Sequence, residues 1–264
     1  MQVSTIVKTD AITLRVTPFS NTSHIVTWLT PEFGKIATVI KGACRPKSPV
    51  FGQYDMGYLC ELLFYSRNHN GLHIVKECTA IDNRASYRGD WRITAAISYL
   101  CHLVSIAIPD ETHTEGMYEL LNQTVKMLAE HRNLIHTPSL FQFELQLLKR
   151  LGLSPQLECC TSCRTNMYHA DKVFFSATAG GLICDRCHNT SKDLQVFSPQ
   201  TVKTLHRWQR LSSVTLHPKL NSVTKEQIQR LLGSFLTHHI DLAPACRAVA
   251  YQTLQIPNST TIKQ

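Results

Sequence analysis

Four cysteines fall into two Cys-x-x-Cys pairs, Cys160/Cys163 and Cys184/Cys187, separated by the interval typical of a four-thiolate zinc site. Two residues between cysteines let both sulfurs turn to one side of a tight knuckle. Two knuckles supply the four soft, deprotonated ligands that tetrahedral Zn²⁺ takes in a structural site. The intervening segment 173–183 reads as a β-hairpin, with Gly180-Gly181 able to adopt the positive φ of a hairpin turn. Two disulfides or buried free thiols are the alternatives. Disulfides are the weaker of these, because Met1-Gln2-Val3-Ser4 lacks the basic start and apolar stretch of a secretory signal, and no apolar run is long enough for a membrane span. The expectation is therefore a cytoplasmic chain with no membrane partner, in a reducing compartment where paired Cys-x-x-Cys motifs bind metal. A site that has lost its metal, or redox chemistry, stays open beside it. Four thiolates close the coordination sphere, so one structural zinc per chain is expected and no catalytic one. Cys159 could stand in for Cys160, but the spacing favours Cys160. Cys44, Cys60, Cys78, Cys101 and Cys246 are scattered among apolar residues and are expected to be buried small hydrophobes.

With 264 residues, 43% of them apolar, the chain can bury a substantial core in one large or two to three small domains. Its formal charge of +8 favours acidic partners such as nucleic acid. The excess is uneven: about +3 in residues 1–80, about −1 in 81–150, about zero in 151–190 and about +6 in 191–264. A solvated surface tuned for solubility would look the same by charge alone.

Alternating patterns at Val3–Phe19, His24–Thr30, Lys35–Ala43, Tyr54–Tyr65 and Leu72–Ile81, separated by turn-rich stretches, predict five strands. Five short strands suit a small closed barrel of the oligonucleotide-binding (OB) type. From Asp82 the period becomes helical. Trp91, Ala95, Tyr99, Leu100, Leu103 and Ala107 mark a helix over Asp90–Ile108. Met117, Leu120, Leu121, Val125 and Leu128 mark one over Glu115–His131, with Thr114 as its cap. A third runs over Ser139–Leu151 and stops at Gly152. Ser198-Pro199 opens a helix to Leu211, Thr224-x-x-Gln227 is a capping box for a helix to about Ile240, and Pro244 starts a last one. The class is α+β: an OB-type domain (1–81), a helical domain in two parts (82–157 and 191–257) with an inserted four-cysteine zinc ribbon (158–190), and a disordered tail (258–264).

Gly42-Ala43-Cys44-Arg45-Pro46-Lys47-Ser48 nearly matches a phosphate-binding loop, but Pro46 has no N–H where the motif needs a glycine, and no helix follows. As a basic loop it makes better sense. Lys35, Lys41, Arg45 and Lys47 gather beside Phe51 and Tyr54, and cations next to rings are what single-strand binding uses. Individually, Phe51 and Tyr54 read as packing residues. Lys203, Arg207 and Arg210 follow at helical spacing around Trp208, either a second phosphate-contacting face or a solvated face with Trp208 turned inward. Among thirteen histidines none sits in a His-Glu-x-x-His motif, and His238-His239 fits the end of a helix. No catalytic residue is assigned.

Taken together, Gly34-Lys35, Lys41–Ser48, Phe143-Glu144-Leu145-x-x-Leu148-x-x-Leu151-Gly152, Cys160-x-x-Cys163 and Phe175-Ser176-x-x-x-Gly180-Gly181-Leu182-Ile183-Cys184-x-x-Cys187 resemble the RecO family of bacterial DNA repair and recombination proteins over nearly the whole chain. The family often has a basic residue where Cys44 stands, a glycine where Arg164 stands and a Lys-Ser-Arg run where Ala245-Cys246-Arg247 stands. The resemblance implies a non-enzymatic recombination mediator that binds single- and double-stranded DNA and anneals strands. It also implies work with RecR and the C-terminal tail of single-strand DNA-binding protein, assistance to RecA loading, and association with the nucleoid during repair. Lys126 and Arg132 in the helical middle are the candidate partner-binding residues. A nuclease or modifying enzyme, and a zinc-ribbon adaptor binding other proteins, are the alternative readings.

Overall fold

The computed structural model describes residues 5–66, 71–85, 88–131, 137–168, 170, 172–216 and 220–256. The expected tail, 258–264, lies outside them, as does Arg132. The chain forms two compact units, Met1–Asn133 and Leu134–Gln264.

In the first unit β1 (Thr5–Ser20), β2 (Ser23–Thr30), β3 (Gly34–Ile40), β4 (Leu59–Ser66) and β5 (His73–Asp82) close a barrel in the order β1-β2-β3-β5-β4. The long β1 serves two neighbours, pairing with β4 up to Ile12 and with β2 from Ile12 onward. Closure comes from a short parallel pairing of β3 with β5, Thr38 opposite His73 and Val39 opposite Ile74. Sequence reading started β4 at Tyr54, five residues early. Tyr58 N–H bonds the Asp55 carbonyl at 2.9 Å and Gly57 takes φ +80°, so residues 54–58 turn before the strand begins. Alternate residues of the strands, among them Ala11, Val26, Trp28, Ile36, Leu62 and Phe64, fill the interior. The one polar atom of Trp28, Nε1–H, donates to Thr38 Oγ1 at 2.8 Å, which makes so large a buried side chain affordable.

Two helices complete this unit, α1 (Trp91–Ala107) and α2 (Met117–Glu130). Asp90 caps α1, accepting from the Arg92 N–H. The buried face of α1 is Ile93, Ala96, Ile97, Leu100, Cys101 and Val104, together with Tyr99 and Leu103; Trp91, expected in that face, is exposed. The stripe is rotated because the N-cap puts Trp91 at the first helical position, on the outer side. For α2 all five expected apolar residues are buried, but the entry residue is Gly116 at φ +68°, not a Thr114 side-chain cap. Thr114 contributes its carbonyl instead, to Met117 N–H.

Gly34-Lys35 couples the barrel to α1. A Cβ at Gly34, φ +65°, would lie 2.1 Å from the Thr112 carbonyl oxygen, so only glycine admits the 110–113 loop here. The Lys35 ammonium donates to the Ser105 carbonyl at 2.6 Å and pairs with Asp110 at 3.1 Å.

The second unit holds α3 (Thr137–Arg150), β6 (Val173–Ser176), β7 (Gly181–Ile183), a 3-10 turn at Asp185–Thr190, β8 (Gln195–Phe197), α4 (Pro199–Gln209), α5 (Ser222–Ile240) and α6 (Pro244–Thr253). The expected hairpin gains β8, giving the order β7-β6-β8. The helical segment expected at 82–157 is thus distributed over both units. The capping box at Thr224 is not formed: Asn221 caps α5, accepting from Thr224 N–H. Gln227 is spent elsewhere. Its Oε1 accepts from Ser198 N–H at 3.1 Å, Ser198 Oγ at 2.9 Å and Thr201 Oγ1 at 2.6 Å, tying α5 to the start of α4.

Helix α3 is the centre of this unit and is buried on nearly every side, its polar residues included. Gln142 exchanges hydrogen bonds with the Thr215 backbone at 3.2 and 3.0 Å, and Gln146 donates to the Trp208 carbonyl at 3.1 Å. Glu144, fully buried, receives Arg247 Nε and Nη2 in a fork, both at 2.8 Å, and the Tyr251 hydroxyl at 2.9 Å. Gln142, Gln146 and Glu144 are thus each partnered, as burial of such groups demands.

Candidate metal centre and basic surfaces

The sulfurs of Cys160, Cys163, Cys184 and Cys187 all lie within 4.8 Å of one another. Local hydrogen bonding makes each knuckle. Cys160 N–H donates to the Thr165 carbonyl at 2.8 Å and Arg164 N–H to the Cys160 carbonyl at 2.9 Å, while Cys187 N–H reaches the Cys184 carbonyl at 3.0 Å. The knuckles are joined: Cys184 N–H points at Cys160 Sγ, 3.4 Å away, and Cys163 and Cys184 sulfurs are 3.6 Å apart. Cys160 and Cys184 are buried, Cys187 is half-buried and Cys163 exposed. The four cysteines singled out by their spacing are the four that converge, and Cys159 is outside the group.

Proton affinities within the cluster diverge. The Thr165 hydroxyl and N–H, followed by Cys184, hold the Cys163 thiol down at about 6, whereas Cys184 and then Cys163 push Cys187 up to about 12. Four sulfurs this close share protons unevenly, and a cation that replaces those protons relieves the crowding. The cluster can therefore hold a metal ion.

Two glycines shape the ribbon for different reasons. Gly180 takes the left-handed turn, φ +78°. Gly181 does not; its missing side chain admits the incoming chain, since a Cβ there would lie 2.4 Å from the Gln156 carbonyl oxygen. Gln156 pairs across that gap, its N–H to the Gly180 carbonyl and its carbonyl to Leu182 N–H, both at 2.9 Å. Arg164 follows the first knuckle at φ +61°, a region costly for any residue with a Cβ. Arg164→Gly is expected to stabilise the metal-loaded ribbon by about 1 kcal/mol. The gain should be read as about fivefold stronger metal retention against a competing chelator. Weaker retention would mean that Arg164 makes contacts worth more than the strain.

The loop after β3 carries Lys41, Arg45 and Lys47, all exposed. Lys35 is not with them: its side chain is buried in the contact with α1 described above. Phe51, expected to pack, stands 69% exposed on the same loop. Tyr54 does pack, edge-on to Trp28 and to His24. In the other unit Lys203 and Arg207 are exposed on α4 and Arg210 at its C-cap, with Trp208 fully turned inward. Lys203 Nζ lies 5.0 Å from the centre of the exposed Tyr168 ring, a second pairing of cation and aromatic. Lys126 is exposed and 3.9 Å from Glu130 one turn on. Cys60, Cys78 and Cys101 are buried as expected, but Cys44 and Cys246 are exposed, because the turn after β3 and the first turn of α6 face solvent.

Some features had no sequence signal. A cavity of about 910 Å³ in the second unit is lined by Thr178, Asp193, Glu226, Arg230, His238 and Arg247. Although burial pushes the Asp193 carboxyl up, hydrogen bonds from Ser176 and Thr178 hold it down at about 2, marking it as a tie between β6 and the approach to β8. His239, near the end of α5, lies with its Nε2 3.0 Å from the Ala177 carbonyl. Among the described residues, no helix is long and apolar enough to cross a membrane.

Comparison with known proteins places this architecture. Residues 1–84 match the family profile "Recombination protein O N terminal", and residues 88–245 match "Recombination protein O C terminal". The DNA repair protein RecO of Listeria monocytogenes serotype 4b is 28% identical over 245 residues, 89% of this chain and 90% of that protein. Its counterpart in Halalkalibacterium halodurans is 26% identical over 240 residues, 88% of this chain and 91% of that protein. That of Moorella thermoacetica is 25% identical over 240 residues, 90% and 88% respectively.

Proposed function

Because the chain belongs to the recombination protein O family, we propose that it acts in DNA repair as a non-enzymatic recombination mediator. In this reading it binds single- and double-stranded DNA, anneals complementary strands and, with RecR, assists RecA loading on DNA covered by single-strand DNA-binding protein, whose C-terminal tail it engages. The observation that carries the reading is the loop on the closed N-terminal barrel, which bears exposed Lys41, Arg45 and Lys47 together with an exposed Phe51. An OB-type barrel uses such a surface: cations neutralise phosphates, and a ring offers a π-face to any base. Contacts of this kind do not read sequence, so strands can be exchanged without being trapped. Lys203 and Arg207 on α4, with Arg210 at its C-cap, are proposed as a further phosphate-contacting face; Lys35, buried and paired, is assigned to holding α1 on the barrel. Lys126 is the remaining described candidate for partner contact.

We further propose that the four-sulfur cluster holds one structural zinc. Zn–S bonds of about 2.3 Å set tetrahedral edges of about 3.8 Å. The Cys163–Cys184 separation of 3.6 Å and the upper limit of 4.8 Å suit such a site. Bound zinc would cross-link the two knuckles and leave no position for substrate.

The triple variant Lys41→Ala/Arg45→Ala/Lys47→Ala tests the DNA surface. Its affinity for single-stranded DNA should fall about 10–100-fold, similarly for unrelated sequences, and the slope of log K against log salt should flatten by about 2. An unchanged slope would remove the loop from the interface.

A further inference from the structure

Within the basic loop, Cys44 is one end of a chain of polar atoms whose middle is His24. Its sulfur lies 3.3 Å from His24 Nε2, and His24 Nδ1 lies 2.8 Å from the Tyr54 hydroxyl. The barrel holds each member: His24 sits in β2 opposite Ile40, Tyr54 packs on Trp28, and Cys44 N–H donates to the Thr22 carbonyl at 3.2 Å. Burial pushes the Tyr54 phenol up to about 12, so it keeps its proton. A nucleophile within reach of a base that is itself oriented by a third group is the geometry of an activated thiol. A surface cavity of about 300 Å³ opens beside these side chains, with Phe51 on its wall. The cysteine is exposed, which an inert structural thiol would not need to be.

We propose that Cys44, served by His24 and Tyr54, is a reactive thiol that exchanges with low-molecular-weight disulfides of the glutathione class and so carries a reversible modification on the basic loop. The imidazole, donating Nδ1–H to the Tyr54 oxygen, takes the thiol proton at Nε2. The Cys44 thiolate attacks one sulfur of the reagent; a new S–S bond forms as the reagent's own breaks. The departing thiolate takes the proton back from the imidazole, so one thiol is oxidised and one half of the reagent reduced. A bound glutathionyl group would set a peptide of net negative charge among Lys41, Arg45 and Lys47. That consequence, weaker DNA binding, rests on the function proposed above; the thiol chemistry does not.

The test treats the zinc-loaded full chain with glutathione disulfide at neutral pH and follows each cysteine by peptide mass spectrometry. Cys44 should be modified about tenfold faster than Cys246, the other exposed cysteine outside the four-sulfur cluster. His24→Gln should slow Cys44 about tenfold while leaving the Cys246 rate in place. Tyr54→Phe, which keeps the ring against Trp28, should slow it about threefold and serves as the second variant if His24→Gln fails to fold. Equal rates at Cys44 and Cys246, or a Cys44 rate indifferent to the variants, would overturn the proposal. Modified protein should bind single-stranded DNA more weakly with a flatter salt slope. Selective modification with unaltered DNA binding would uphold the reactive thiol and remove the loop from the DNA surface.

Discussion

Zinc content should fall from about one ion per chain to near zero when Cys184 and Cys187 are both replaced by serine. Hydroxyls are poor replacements for thiolates at a soft tetrahedral site, and removing one whole knuckle leaves two ligands. This is the largest effect expected in the molecule, because metal binding at four-ligand sites is worth about 10–16 kcal/mol in small peptides. Its consequence is local. The ribbon's strands are three or four residues long, too short to hold without help, and β7 has only Gly181, Leu182 and Ile183. Amide exchange in 159–187 should therefore rise sharply in the variant while the N-terminal barrel, a separate compact unit, keeps its protection. Elemental analysis and hydrogen exchange on the same preparation read both outcomes. Full retention of zinc would place the metal on other ligands; unchanged exchange would show that the ribbon's apolar contacts, Phe175 on Phe197 and Phe235, suffice.

Glu144→Ala should destabilise the C-terminal unit by about 3–5 kcal/mol. The carboxylate is fully buried and accepts three hydrogen bonds, two from Arg247 and one from Tyr251. Removing it takes two charge-assisted bonds from the Arg247 guanidinium in the interior, while the Gln229 carbonyl stays 2.6 Å from Nη1. The space for that guanidinium is itself specified: a Cβ on Gly233 would lie 3.1 Å from Arg247 Nη1. Burial, and after it the nearby Glu144 carboxylate, raise the Tyr251 phenol well above its ordinary value, so the hydroxyl stays a donor at any physiological pH. Replacing both ends with apolar residues of similar size, Glu144→Leu with Arg247→Met, should recover most of the loss, since a buried pair is expensive to break but not to replace. Urea titration of the zinc-loaded protein measures both. A single variant within about 1 kcal/mol of the parent would mean that water reaches the pair.

The same residues show where sequence reading stopped. Phe143-Glu144-Leu145 is visible as a motif, and Arg247 as the cation left where the family often has a Lys-Ser-Arg run. Its partner lies 103 positions away, and no local pattern couples them. Lys35 is the parallel case. Its position next to Gly34 was legible, but whether its ammonium met solvent depended on the last turn of α1 presenting the Ser105 carbonyl and on Asp110 beside it. Gln227 reads as half of a capping box for α5 that does not form, because its reach to Ser198 exists only once α4 and α5 are packed.

By itself, the sequence determined what short-range chemistry controls. The change of period near residue 82 separated strands from helices. Pro199, Gly152 and Pro244 punctuated the helices close to their observed ends, and two Cys-x-x-Cys spacings named the four sulfurs that converge. These follow from backbone geometry and from ligand distances spanned by a few bonds. Tertiary structure alone decided which charged and polar groups face water. It buried Lys35, Glu144 and Arg247 with partners, left Lys41, Arg45, Lys47 and Phe51 exposed, and set Cys44 against His24. Burying a charge is tolerable only where a partner is supplied, and partners come from distant parts of the chain, so the division between structural and functional cations is a property of the packed molecule.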